Sequence, residues 1–271
     1  MSDCGKKIRL SRVLGGGGHR ALVVAFDHAL VLGPIPGTED SLAQMRRFAE
    51  AKVDALLLNL GLIRQLAEAR LPGYLPSVIA RIDWTSVWSA VGDGECDLRS
   101  CLLARPEHAL RHGADAVLTY MVVGTGDADF ESKEIARTAE VARECEQIGI
   151  PLIVESLARG KNVATPGDPK WLHRHIRMAA ELGADAIKTD YSGDPESMRA
   201  VVDGCPIPIL VLGGSRQASD ADALEVVRGA VDAGAAGVFF GRNVFQASNM
   251  QSFLQQARAV LDGVEVSQSR R

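Results

Sequence analysis

One phrase recurs along this chain of 271 residues. A helical run ends on glycine, Gly-Ala-Asp-Ala or a close relative follows, and an apolar strand begins. It reads GADAV from Gly113, GADAI from Gly183 and GAAGV from Gly234, with VDALL from Val53 as a variant. Glycine there supplies the left-handed turn that ends a helix, and so short a link feeds a parallel strand. Apolar strands are read at 21–27, 53–60, 77–83, 116–123, 151–156, 184–190, 208–212 and 236–240, with helical patterns between them. Runs with so little polar alternation are buried on both faces. Eight such units without a break in composition predict a (β/α)8 barrel of one domain over 1–271, with residues 1–20 a polar lead and 263–271 a tail. A doubly wound sheet would need a Gly-x-Gly-x-x-Gly first turn, which is absent. The glycines at 15–18 precede a strand instead of following one, so they are read as a flexible turn. After the third strand comes a polar excursion with Trp84, Trp88 and an Asp93-Gly94 turn signal.

Composition narrows the function. A net charge of −4 gives no reason to expect a nucleic-acid or membrane-surface partner. Cys4, Cys96, Cys101, Cys145 and Cys205 are scattered and odd in number, which predicts reduced thiols in a cytoplasmic protein. No signal-peptide core or membrane-spanning run is read.

In a barrel of this kind the active site forms where the strands' C-terminal ends meet. Lys188 sits in the middle of the sixth strand. Alternation sends Ala184, Ala186, Lys188 and Asp190 one way and Ile187, Thr189 and Tyr191 the other. If the bulky set meets the covering helices, Lys188 points into the barrel. A desolvated lysine tends to shed its proton and then attacks carbonyls. The ordinary alternative is a stem lying on apolar surface with its head in solvent. Asp194-Pro195 then starts a helix, with aspartate as its N-cap. Other polar residues at strand ends are Asp27, His28, Asn59, Asp83, Tyr120 and Glu155. Gly213-Gly214-Ser215 and Gly241-Arg242-Asn243 end the last two strands, where barrels bind phosphate through turn N–H groups, a helix N-terminus and a cation.

These residues also carry a resemblance. FDHALVLGPI, KTDYSGDPES, ILVLGG and GVFFGRNVFQ are similar to segments of the archaeal-type class I fructose-bisphosphate aldolases. That family includes aminodideoxyheptulosonate synthases and a thiolase acting on phosphorylated autoinducer. The resemblance runs from about Ala21 to Gln256. It implies a (β/α)8 barrel, often assembled as a homo-oligomer up to a decamer; from the residues themselves, no dinucleotide fingerprint is read and no third ligand accompanies His108 and His112, so no cofactor or metal is expected. By position it makes Lys188 the Schiff-base lysine, Asp27 an active-site carboxylate, and Gly213, Gly214, Ser215, Gly241 and Arg242 the phosphate cradle.

One departure stands out. Aldolases of this family often carry Tyr-Pro-Arg-Gly at the end of the fifth strand, the tyrosine moving a proton; here the residues are Leu157-Ala158-Arg159-Gly160. Tyr120 is the first substitute and Glu155 the second. Each has a plainer alternative, Tyr120 as a satisfied core tyrosine and Glu155 as a partner of Arg81 or Lys188. His108 and His112 are read as a solvated helix face, and His173 and His175 as pointing to different sides of a helix. His28 is expected to face away from the barrel axis and orient its loop. Tyr74, Trp84 and Trp88 are read as loop packing, an oligomer contact or a lid. The expected activity is a class I aldolase reaction on a phosphorylated ketone such as dihydroxyacetone phosphate. Lysine-dependent acyl transfer and a non-catalytic sugar-phosphate-binding barrel are the alternatives.

Overall fold

The computed structural model describes residues 4–69, 73–88 and 98–264. Its strands are β1 (Ala21–Ala25), β2 (Ala55–Asn59), β3 (Ser77–Arg81), β4 (Asp83–Thr85), β5 (Ser100–Leu102), β6 (Ala116–Val123), β7 (Leu152–Ala158), β8 (Ala186–Thr189), β9 (Ile209–Leu212) and β10 (Gly237–Phe240). All but β4 and β5 pair in parallel and close into a barrel in the ring order β1-β10-β9-β8-β7-β6-β3-β2. With helices between successive strands, the fold is the (β/α)8 barrel the recurrent phrase predicts. None of the helices among the described residues is long and apolar enough to cross a membrane.

The aspartates of the phrase explain the recurrence. Asp54 accepts the Leu22 N–H at 2.7 Å while its own N–H donates to the Leu22 carbonyl. Asp115 does the same with Val78, and Asp185 with Leu152. Each staples the start of one strand to its neighbour and satisfies a polar group at the barrel's lower rim. In the GAAGV copy Ala236 keeps only the backbone half, its N–H donating to the Ile209 carbonyl at 2.8 Å.

Two layers of apolar residues follow from strand alternation. Outward side chains such as Val24, Leu56, Val117, Ile187 and Val238 pack under the helices, and Val23, Leu57, Ile79, Leu118, Ile153, Leu210 and Phe239 fill the ring. Ala186 joins the interior, but Ala184 joins the outer layer, because β8 begins only at Ala186. Helix starts are capped as their residues suggest: Asp40, Asp127, Asp168 and Asp194 each accept a first-turn N–H.

Two expectations need correction. The polar lead contains a helix, Cys4–Val13, that closes the lower mouth of the barrel. Val13 is fully buried among the interior residues with Leu10 and Leu14 beside it, and Lys6 pairs with Asp185 at 2.9 Å. Three apolar residues in a charged decapeptide make too narrow a stripe to read as a packed helix. The third predicted strand, 77–83, also breaks at Ile82: β3 belongs to the barrel, whereas β4 pairs antiparallel with β5. The Asp93-Gly94 signal, Cys96 and residues 265–271 of the tail lie outside the described residues.

Candidate active site

Strand register assembles the site. Tyr120 on β6 is the partner of Glu155 on β7, and Glu155 is the partner of Lys188 on β8. Three side chains therefore stand in one row, inward-facing, above the apolar filling of the ring. Lys188 Nζ lies 2.9 Å from Glu155 Oε1 and 4.7 Å from the centroid of the Phe239 ring. Lys188 is thus buried inside the ring as alternation predicts, but it has a carboxylate neighbour instead of standing alone.

Arg81 completes the row from the other side. Its Nε donates to Asp27 Oδ2 at 2.8 Å, Nη2 donates to Glu155 Oε2, and Nη1 donates to Asp83 Oδ1 at 3.5 Å. The guanidinium also lies 3.8 Å from the centroid of the Tyr120 ring. Both plainer readings of Glu155 hold at once, because it touches Arg81 and Lys188. The central place of Arg81 was not read from the sequence. Its alternation with inward-facing Ile79 on β3 was the available signal.

These contacts set the charges. Burial alone would raise the Asp27 carboxyl, but Arg81, His28 and Lys188 bring it down to about 2. Glu155 is likewise held below its ordinary value, burial being outweighed by Lys188 and Arg81. Tyr120 goes the other way. Burial and the nearby carboxylates push its phenol well above the usual value despite Arg81, so it stays protonated. Asp83, fully buried, is pushed up to about 6 chiefly by burial.

The end of β6 has no strand on its β3 side, and buried side chains stand in for one. Asp83 Oδ2 accepts the Tyr120 N–H at 2.8 Å, Arg137 Nη2 donates to the Tyr120 carbonyl at 2.9 Å, and Glu134 Oε2 accepts the Val122 N–H at 3.0 Å. Arg137 and Glu134 come from the helix Ala128–Ile148 and pair with each other at 2.8 Å. They fix the backbone of Tyr120 without reaching the cavity.

The opposite wall is built from the turns after β9 and β10. Asn243, fully buried, donates to the carbonyls of Gly213 and Ser215 at 2.8 and 3.1 Å and accepts the Gln217 N–H. It locks the two turns together. A Cβ on Gly241 would fall 2.2 Å from the His28 ring and 2.9 Å from the Ala25 carbonyl oxygen, so only glycine fits. The helix after Gly241, Arg242–Phe245, is too short to contribute a useful dipole. Attraction for an anion rests instead on Arg242, which burial destabilises as a cation and whose Nε is buried without a hydrogen-bond partner.

All nine sequence-predicted site residues line one cavity of about 230 Å³: Asp27, Tyr120, Glu155, Lys188, Gly213, Gly214, Ser215, Gly241 and Arg242. His28 lines it too, contrary to expectation. β1 ends at Ala25, so alternation no longer governs residue 28. Burial lowers the pKa of its imidazole despite Asp27, whose Oδ1 lies 3.7 Å from Nδ1. Asn59, Asp83 and Asp190 do not line it. Asn59 donates to the Asp27 carbonyl at 3.1 Å, and Asp190 forms a two-pronged pair with Arg159 at 2.7 and 2.9 Å.

Leu157 stands at the position where the sequence resemblance leads one to expect a tyrosine. It is fully buried, clustered with Tyr120, Val122 and Phe130, and Trp88 and Leu212 pack against that cluster. Trp88 lines the cavity mouth, whereas Tyr74 is half-exposed and donates to the Val53 carbonyl. His175 is buried beside Ser156 while His173 is exposed; His108 is exposed, and His112 Nε2 accepts from Arg64.

A profile of the DeoC/LacD family aldolases matches residues 21–247 of this chain. The chain belongs to that family. Among the relatives of these DeoC/LacD aldolases is the 2-amino-3,7-dideoxy-D-threo-hept-6-ulosonate synthase of Halobacterium salinarum, 36% identical over 91% of this chain and 87% of that one. The fructose-bisphosphate aldolase class 1 of the same organism is 34% identical over 89% and 90%. In three dimensions the chain is similar to a Schiff-base-forming fructose-1,6-bisphosphate aldolase at TM-score 0.79 and 29% identity, covering 95% of this chain and 99% of the other. The resemblance read from the motif segments is met by these findings.

Proposed function

We propose that this aldolase-family chain works as a class I enzyme, making or cleaving a carbon–carbon bond beside the carbonyl of a phosphorylated ketone such as dihydroxyacetone phosphate. The observation that carries the reading is Lys188: inside the ring, open to the cavity, and 2.9 Å from the Glu155 carboxylate. The substrate's phosphate would rest on the Gly213–Gly214–Ser215 turn, Gly241 and Arg242. Its carbonyl then faces the row of Lys188, Glu155 and Tyr120.

The Lys188 amine adds to the carbonyl in its unprotonated form. Asp27 and Glu155 assist proton transfers at the carbinolamine until water leaves. The resulting iminium draws the electrons of the breaking bond into an enamine, so no free carbanion forms. In the synthetic direction Tyr120, kept protonated, donates to the new hydroxyl. Leu157 has no proton to give, and Tyr120, on the neighbouring strand, supplies one.

Borohydride reduction with dihydroxyacetone phosphate, followed by peptide mass mapping, tests the reading. An adduct on the peptide containing Lys188, absent in Lys188→Met, is expected. A Lys188→Met protein with full turnover would refute it. Product formation that depends on coenzyme A would move the chain to acyl transfer.

A further inference from the structure

His28 lies between the two ends of the cavity. Its Cε1–Nε2 edge rests against the Gly241 turn, where an added Cβ would fall 2.2 Å from Cε1 and 2.8 Å from Nε2. Its other nitrogen, Nδ1, is buried without a hydrogen-bond partner, although Asp27 Oδ1 stands 3.7 Å away. Phe245 packs edge-on against the ring at 5.4 Å and offers no polar atom.

A neutral imidazole has one N–H and one lone pair. With the hydrogen on Nε2, the Nδ1 lone pair faces a carboxylate oxygen, and two acceptors do not bond. That tautomer accounts for the open gap. A proton on Nδ1 would turn the same pair into a charge-assisted hydrogen bond. The surroundings withhold it: burial, Lys188 on β8 and Arg242 after β10 disfavour the imidazolium, against Asp27 beside it and Glu155 on β7. A dianion at Gly241 and Arg242 reverses that balance, because it brings negative charge to the Nε2 edge. The dianion also needs its two charges met. Arg242 supplies one positive charge, while Arg81 and Lys188 are engaged by Asp27, Asp83 and Glu155.

We propose that His28 is a further ligand of the substrate's phosphate: Nε2–H donates to it from beside Gly241, and as the dianion arrives Nδ1 takes one proton from solvent and closes a hydrogen bond to Asp27. The inference rests on the phosphate placement proposed above and not on the imine. His28 thereby ties occupancy of the phosphate end to the carboxylate that serves the carbinolamine. A ketone without a phosphate leaves the imidazole neutral and that link open.

The full-length protein, labelled with ¹⁵N at histidine, is titrated with pH by NMR, free and saturated with sn-glycerol 3-phosphate. That probe carries a phosphate but no carbonyl for Lys188. His28→Gln identifies the His28 signals by their loss, and His28→Asn does so should the glutamine variant not fold. Expected is a His28 pKa at least about one unit higher in the saturated protein, a tenfold gain in proton affinity. The variants should bind glycerol phosphate about tenfold more weakly. Glycerol phosphate bound with the His28 titration unmoved overturns this inference alone. Absence of binding, with borohydride trapping at Lys188 intact, overturns it together with the phosphate placement and leaves the Schiff-base lysine standing.

Discussion

Lys188 and Glu155 are register partners on adjoining strands, and their charged ends meet at 2.9 Å inside the barrel. The same carboxylate also receives Arg81, so one anion serves two buried cations. Glu155→Gln keeps the side chain's size and removes that charge. We expect kcat to fall by about 10²-fold or more, the scale of a lost acid–base group. Stability should fall by roughly 3 kcal/mol, because a partnerless buried charge remains. Steady-state kinetics and urea denaturation check both, and Glu155→Asp should recover part of each. Unchanged kcat in the glutamine variant would remove Glu155 from the chemistry.

Tyr120 shares that row, but its part comes after imine formation. Tyr120→Phe should lower kcat by about 10²-fold while leaving borohydride trapping at Lys188 intact. Because the phenol is held well above its usual range, no tyrosine limb should enter the kcat profile on the alkaline side up to about pH 10. A variant that loses trapping as well would place Tyr120 in carbinolamine formation instead.

Two buried carboxylates bend stability in opposite directions with pH. Asp83 is raised from 3.8 to about 6, so the folded protein binds its proton more tightly than the unfolded chain. Its contribution is favourable below pH 4 and is lost as pH rises through 6, by up to about 3 kcal/mol. Asp27, lowered from 3.8 to about 2, contributes above pH 4 and loses its roughly 2 kcal/mol as pH falls toward 2. Asp83→Asn retains an oxygen for the Tyr120 N–H and should flatten the stability curve between pH 4 and 6. Denaturant midpoints across that window compare the two proteins, and parallel curves would discard the assignment.

Gly241→Ala probes the phosphate end. An added methyl there would crowd the His28 ring and the Ala25 carbonyl oxygen. Opening the turn should raise KM for the phosphorylated ketone about tenfold or more, with a smaller change in kcat. Saturation curves with the phosphorylated and unphosphorylated ketone separate the cases, since an equal loss for both would mean general disruption.

Much of the site was legible because strand alternation and barrel topology are local and additive. Lys188, Glu155 and Tyr120 were placed by counting along apolar strands, and the glycine turns by their position after the last two. His28 was misjudged where the strand stopped. The helix that carries Val13 was missed because Leu10 and Val13 become informative only against the barrel mouth they close. Asn243 was visible in its motif, yet its double bond to the Gly213 and Ser215 carbonyls depends on two turns folding together.

The sequence by itself determined the number of βα units, the inward phase of the sixth strand, and thus which end of the ring carries polar chemistry. Tertiary structure alone decided that Arg81, Asp27, Glu155 and Lys188 form one charge network while Arg242 meets no acidic partner among the described residues. The physical reason is reach: alternation fixes the face a side chain occupies. Which opposite charge it meets depends on register across strands far apart in the chain.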